Sequence, residues 1–486
     1  MSSAADAVKC PIETHSSGYS SRLYNADLAP VNQHWTAYNI AALWMSDIHS
    51  VGGYLVAASL FSLGLSGWQV IVSLLVGIAI LQWAANLVAR PSQQAAVPFP
   101  VICRLSFGVL GANIPALIRG IIALVWYGIQ TFLASTALMM VVLRFFPALT
   151  HWTENGMLGL SWLGWCCFMV LWSAQAVVFW KGMNTIRRFI DWSGPAVYIV
   201  MFTLAGWLCY RAGWENIHFT LSDQHLSIGQ QLWQMVIAAM IVVGYLSAPV
   251  LNIGDFGRYA RSVEDLRKGN FWGLPVNFLV FAITTVMMVS ATLPVFGRMI
   301  ADPIETVAQL DSDIVVILGA LTFITTTIGI NIAANFVSPA FDFSNVAPRW
   351  ISFRSGGMIA AIGSVVLLPW KLFANPVLIH YTVEALAAAI GPIYGILLVD
   401  YYLIRCGKIT VDALFSMQQD QPYWYWKGIN PRAVIALIPA MALSLWLNFT
   451  SLFGDLHHFA LLIGAITSAV LYAWCARDLK AAHAQR

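Results

Sequence analysis

Residues 41–60 read AALWMSDIHSVGGYLVAASL, an apolar run interrupted near its middle by Asp47, Ile48, His49 and Ser50 and then by Gly52-Gly53. Residues 240–260, MIVVGYLSAPVLNIGDFGRYA, carry a matching disturbance, with Gly244, Ser247, Pro249, Asn252 and Gly254 in one stretch. Proline and glycine this dense unwind a helix, and freed backbone groups at membrane depth are tolerated only where they line a cavity. Each stretch is therefore expected to be split into half-helices, near residues 47–53 and 245–252. Packing contacts and kinks are the alternative reading, since Gly and Pro are frequent in membrane helices.

The surrounding chain places these breaks. Hydrophobic residues make up 59% of the 486 and charged residues only 10%. A soluble protein of this length needs about 25% charged residues to cover its surface, so the chain belongs in lipid. A window of about 19 residues finds twelve spans, near 37–63, 68–89, 111–145, 158–180, 189–210, 230–253, 271–296, 313–338, 356–373, 379–403, 433–450 and 456–476. The broken stretches are spans one and six. That separation fits two five-span repeats followed by two further helices, and five is odd, so the repeats would have inverted topology. Discontinuous helices in equivalent places of inverted repeats mark the substrate and ion sites of secondary transporters. Six-plus-six halves would instead pair spans one and seven, and span seven has no comparable central break.

Charge sets the expected orientation. With both termini inside, the inner side holds twenty of the 25 Lys and Arg, and the outer side keeps only Arg144, Arg211, Arg298 and Lys371, with Arg119 left within a span. This asymmetry is that of the positive-inside rule for an even number of spans. The expected layout is a cytoplasmic tail (1–35), a transporter core (36–403, repeats near 36–210 and 230–403), a cytoplasmic linker (404–432), helices eleven and twelve (433–476) and a short tail (477–486). The cysteines show no metal-binding spacing, and no GxxxxGK[ST] motif points to an attached ATPase.

Candidate site residues come from polar groups in apolar surroundings. Trp126 and Gln130 stand four apart in LVWYGIQTF, and Asn331 and Asn335 four apart in GINIAANFVSP. A buried carboxamide without a partner costs about 1–3 kcal/mol, so three of them at mid-membrane depth need a ligand or one another. A carboxamide offers a donor and an acceptor side by side, which matches the N–H/C=O edge of a cyclic imide, ureide or nucleobase. Interhelical hydrogen bonds and tryptophan packing are the structural alternatives. Asp47 in the first break is an intramembrane carboxylate, a functional hypothesis by default. Its alternative role is a helix cap. Glu384 and His49 are secondary candidates for proton handling. A membrane-embedded enzyme would need clustered ligands such as His/His/Glu, and none is legible. His457 and His458, adjacent at a loop-to-span junction, are expected to point apart.

Several stretches resemble the nucleobase–cation symporter-1 family: NIAALWMSDIH, VPFPVICRLSFGVLGANIPALIRG, LVWYGIQ, LNIGDFGRYAR, NIAANFVSP, LLPWKL and GPIYGILLVDYYLIR, in order from about Trp35 to Gly428. The resemblance implies an all-α membrane protein of the leucine-transporter type, with a substrate site between spans one, three, six and eight and coupling to Na⁺ or H⁺. It implies a stacking role for Trp126, hydrogen bonding by Gln130 and Asn335 with Asn331 one turn away, and Ser50 nearby. Two departures are visible. The family's second stacking tryptophan corresponds to Leu246, with Tyr245 beside it. The family's Na⁺ site uses carbonyls at positions corresponding to Ser46, His49 and Thr326 and a hydroxyl pair replaced here by Gly329-Ile330. The expectation is an H⁺-coupled importer of a small planar heterocycle such as uracil, allantoin or hydantoin. Na⁺ coupling and an uncoupled facilitator are the alternatives. No cofactor and no nucleic acid is expected, and the protein is expected to be monomeric in a bacterial-type cytoplasmic membrane.

Overall fold

The computed structural model describes residues 18–49, 51–217, 226–300, 302–310, 312–373, 376–450, 452 and 454–479. Its architecture is helical throughout, apart from a two-residue hairpin pairing β1 (Gly156–Met157) with β2 (Leu160–Ser161). Helices α1 (Ala37–Ile48) and α2 (Val51–Ser59) are followed by α3 (Gly67–Ala95), α4 (Phe99–Phe107) and α5 (Asn113–Phe145). After a short α6 (His151–Glu154) come α7 (Trp162–Trp180), α8 (Met183–Ala212), α9 (Ile228–Leu251) and α10 (Gly254–Gly257). The chain continues through α11 (Val263–Phe271), α12 (Asn277–Phe296), α13 (Pro303–Ala308), α14 (Asp313–Ile330), α15 (Ser338–Val346), α16 (Phe353–Val366) and α17 (Pro369–Phe373). It ends with α18 (Pro376–Leu398), α19 (Pro431–Phe449) and α20 (Ala460–Cys475). Segments with π geometry, Trp272–Val276, Asn331–Val337 and Val399–Ile404, sit between α11 and α12, between α14 and α15, and after α18.

Among the described residues, ten helical stretches are long and apolar enough to cross a bilayer. The first and ninth expected spans fall short of that length: the first is divided into α1 and α2, and the ninth ends as α16 at Val366 before Leu367-Leu368 and α17. The third is one helix of 33 residues with no interfacial turn.

The two expected breaks differ. Between α1 and α2 the helix stops at Ile48, and His49 leaves helical geometry at φ −80, ψ 42. In the sixth stretch the chain stays helical through Pro249 to Leu251, and the interruption falls at Asn252-Ile253, later than the density of Gly and Pro predicts. Side chains from other helices meet the end of α9. The Ser247 carbonyl accepts from Tyr394 Oη at 2.6 Å and the Ala248 carbonyl from Arg119 Nε at 3.2 Å. Pro249 lacks only the N–H that would reach the carbonyl four residues back, so these two contacts instead meet carbonyls of the last turn of α9, where the interruption begins.

Packing groups the elements. α1 lies against α8 and α14, α3 against α9, α5 against α14, α15 and α16, and α18 against α19 and α20. At one end of the bundle, residues 18–35 join the α10–α11 connection and the segment after α18, through Ser20 N to Phe415 O (2.9 Å) and His34 N to Tyr259 O (2.9 Å). A buried ion pair locks this end: Arg405 Nε donates to Asp400 Oδ2 at 2.7 Å, and Tyr472 Oη donates to Asp400 Oδ1 at 2.7 Å.

Candidate substrate site

Three helices meet at mid-bundle around a small cavity of about 20 Å³ lined by Trp126 and Gln130 of α5, Tyr245, Leu246, Ala248 and Pro249 of α9, and Ile330, Ala334 and Asn335. The four-residue spacing in α5 sets Trp126 and Gln130 on one face. In α9 the Tyr245 ring meets Trp126 edge-to-face, with centroids 5.6 Å apart and planes at 86°. Above this pair opens a vestibule of about 360 Å³, walled by Gly52, Trp126, Gly244 and Tyr245 and reaching Glu384, His457 and His458. The two rings line both the vestibule and the inner cavity.

One polar atom at this region lacks a partner among the described residues. Gln130 is 1% exposed and its Oε1 has no hydrogen-bond partner. Asn335 Nδ2 donates to Asn331 Oδ1 at 3.0 Å. Asn331 does not line the cavity. It stands behind Asn335 and donates to Thr131 Oγ1 (2.9 Å) and Gln175 Oε1 (2.9 Å), with Tyr127 O also in reach at 3.1 Å. It therefore fixes the orientation of Asn335. The π geometry of Asn331–Val337 is a feature that recurs at functional sites. Gly52 sits close enough that a Cβ there would lie 2.8 Å from Tyr245 Oη and 3.1 Å from Gln130 Nε2. Ser50 lies outside the described residues.

The residues expected to handle the coupling ion separate into distinct environments. Asp47 is 2% exposed, with an unpartnered Oδ2. His49 is enclosed: Nδ1 lies 2.9 Å from Tyr54 Oη, Nε2 3.3 Å from Asn277 Oδ1, and Tyr198 and Phe281 cover the ring. Thr326 Oγ1 donates back to its own helix. Gly329 faces Ser46 so closely that a Cβ there would fall 2.3 Å from Ser46 Oγ, and that hydroxyl lies 3.1 Å from Ser193 Oγ. The space a side chain at 329 would enter is thus filled from α1, while Ile330 lines the small cavity.

Three sets of polar groups around the cavity were not singled out in the sequence. Arg119, noted only as a charge within a span, is fully buried beneath the cavity, where its NH2 group donates to Ala334 O at 3.0 Å and its Nε to Ala248 O. It ties α9 to the π segment. Below it, Asn252 Nδ2 reaches Asp255 Oδ2 (3.1 Å) and Asp342 Oδ2 (3.5 Å). Gln175 and Thr131 also went unremarked. A glutamine within an apolar span is the signal that singled out Gln130, and it applied equally to Gln175. His457 and His458 do not point apart. Their ring centroids are 3.8 Å apart, and both approach Glu384.

Residues 30–471 match the family model for permeases of cytosine and purines, uracil, thiamine and allantoin. The chain belongs to the nucleobase–cation symporter-1 family. Family membership makes it a multi-pass membrane transporter and not an enzyme. It is 34% identical over 460 residues to the allantoin permease of Bacillus subtilis (strain 168), covering 93% of each chain. It is 33% identical over 423 residues to the purine-uracil permease NCS1 of Arabidopsis thaliana, covering 86% of this chain and 70% of that one. Among solved structures, Mhp1, a transporter of this family in a closed conformation with bromovinylhydantoin bound, superposes with a TM-score of 0.77 at 22% identity, covering 95% of this chain and 96% of that one. The last likeness shows a shared fold. Against the family pattern, the position of the second tryptophan holds Leu246, and Tyr245 beside it supplies the aromatic ring that meets Trp126.

Proposed function

We propose that this symporter-family chain is a secondary active importer of a nucleobase or related cyclic ureide or imide, of the class of uracil, allantoin and hydantoin, working by alternating access. The observation that carries this reading is the meeting of Trp126, Tyr245, Gln130 and Asn335 at one cavity, with Gln130 Oε1 buried and unpartnered. Aromatic rings offer stacking to a planar ligand, and two carboxamides offer paired donors and acceptors to its amide edge. The names of the relatives, allantoin permease and purine-uracil permease, belong to the same ligand class. The inner cavity has room for little more than a water, which needs about 10–15 Å³. Substrate entry therefore requires Tyr245 or Trp126 to swing, joining the cavity to the vestibule.

The architecture that goes with this reading has α1–α2 and α9–α10 as the discontinuous members of two inverted five-helix repeats, with α19 and α20 as the two added helices. Both termini are cytoplasmic, the protein is a monomer, and the membrane is the bacterial-type inner membrane. The vestibule then opens outward.

H⁺ is the proposed coupling ion. Asp47 is buried with an unpartnered oxygen next to the α1–α2 break, and Gly329-Ile330 brings no hydroxyl. Protonating a desolvated carboxylate removes its burial penalty, so proton uptake can be linked to closure around substrate. A Na⁺ reading has one observation in its favour: the Ser46 and Ser193 hydroxyls adjoin Gly329, so two oxygens reach the same region from α1 and α8. Uptake of labelled substrate into vesicles tests the proposal. Accumulation that survives replacement of Na⁺ by choline and collapses with a protonophore supports it, and a strict Na⁺ requirement selects the second reading.

A further inference from the structure

The segment joining α19 to α20, Gly454–Phe459, holds His457 and His458 against α18, two turns into which stands Glu384. The three side chains are partly buried, with ligand atoms all within 4.8 Å of one another, and among the described residues no other trio of His, Cys, Asp or Glu lies so close. Their arrangement is specific. His457 Nδ1 lies 3.0 Å from the Gly454 carbonyl, which can only accept, so Nδ1 carries the hydrogen and a neutral ring keeps a lone pair on Nε2. That Nε2 faces Glu384 Oε1 at 3.8 Å, and His458 Nδ1 faces the same oxygen at 3.6 Å. Both distances exceed a hydrogen bond. The His457 Nε2 lone pair, the Glu384 carboxylate and His458 Nδ1 thus face one small volume, a donor set that can take a cation. Ligands about 2.0–2.2 Å from a tetrahedral ion are themselves about 3.3 Å apart, so small side-chain rotations close the set. Backbone fixing of the non-ligating ring nitrogen is the usual support of a metal-bound histidine.

We propose that Glu384, His457 and His458 form a site for a divalent transition metal, with Zn²⁺ as its representative, at the mouth of the vestibule. Two imidazoles and one carboxylate suit Zn²⁺ and leave one coordination position open. The same three residues line the vestibule that leads to Trp126 and Tyr245. A metal there joins α18 to the α19–α20 connection and narrows that route, so bound Zn²⁺ inhibits uptake. The inhibition rests on the transport reading above, whereas the metal site does not.

Two measurements keep these apart. Untagged, chelator-stripped protein in detergent is titrated calorimetrically with ZnCl₂ near pH 7.5. The parent should show one site that MgCl₂ does not fill. His457→Gln, His458→Gln and Glu384→Gln should each weaken it tenfold or more, while melting temperatures measured in EDTA stay equal to that of the parent. Equal titration of the parent and the His457→Gln/His458→Gln double variant overturns the site. Vesicle uptake is then measured with ZnCl₂ and again after EDTA. Reversible loss in the parent but not in the double variant is expected, and uptake unchanged with the site filled overturns the closure. If no substrate is taken up at all, the titration still decides the site.

Discussion

The ring of Tyr245 stands edge-on to the indole of Trp126, with centroids 5.6 Å apart and planes at 86°, and both rings line the vestibule as well as the inner cavity. If Tyr245 provides the second aromatic surface, Tyr245→Phe should bind substrate within a few-fold of the parent. Tyr245→Ala should lose about 0.5–1.5 kcal/mol, read as a rise in Kd by calorimetry. A Tyr245→Ala variant that binds as the parent does would assign the ring to packing.

Gly52 offers a sharper probe, because a Cβ there meets Tyr245 Oη and Gln130 Nε2 together. Gly52→Ala should impair binding by displacing Gln130, with an overpacking cost of about 1–3 kcal/mol at most. Equilibrium binding and a melting curve on the same preparation check this, and unchanged affinity contradicts the placement of Gln130 at the ligand.

Asn331 and Asn335 should behave differently although both are amides on one helical stretch. Asn335→Ala should weaken binding by about 1–3 kcal/mol with little change in melting temperature. Asn331→Ala strips Gln175 and Thr131 of a shared partner and should lower both affinity and stability. If the two variants have the same profile, the division into a ligand-facing and a supporting amide fails.

At the far end of the bundle, Asp400→Ala leaves Arg405 buried without its carboxylate. Removal of one member of such a pair costs about 3–5 kcal/mol. A marked fall in melting temperature is expected with substrate affinity retained in the folded fraction, and a parent-like melting curve would show that the pair contributes nothing.

Coupling through Asp47 predicts a direction with pH. Protons load the carboxylate from outside, so initial uptake should rise as external pH falls, and Asp47→Asn should lose both accumulation and that dependence. Normal accumulation by Asp47→Asn in a pH gradient would remove the residue from coupling.

The interruption after α1 was legible because Asp47 to Gly53 combines polar side chains with two glycines inside an apolar run. The sixth stretch was harder, since its helix runs on past Pro249 and ends where Tyr394 and Arg119, over a hundred residues away, bond the Ser247 and Ala248 carbonyls. Trp126 and Gln130 could be paired from spacing alone, as both belong to one regular helix. The support behind Asn335 could not, because Thr131 and Gln175 reach Asn331 from two other helices. For the same reason the meeting of Glu384 with His457 and His458 escaped a reading based on spacing. Their contact spans more than seventy residues and depends on how α18 packs against the turn before α20.

Binding of a heterocycle panel to purified parent and variant proteins bears most directly on the central claim. Uracil, cytosine, thymine, adenine, guanine, hypoxanthine, allantoin, hydantoin and uric acid are screened by thermal shift, and each hit is titrated against Trp126→Ala, Gln130→Ala and Asn335→Ala. At least one planar ligand should bind the parent, and each variant should bind it about tenfold or more weakly at unchanged melting temperature, as loss of about 1.4 kcal/mol per interaction requires. Ligand binding that is undiminished in all three variants, or a parent that binds none of the panel, would contradict that claim.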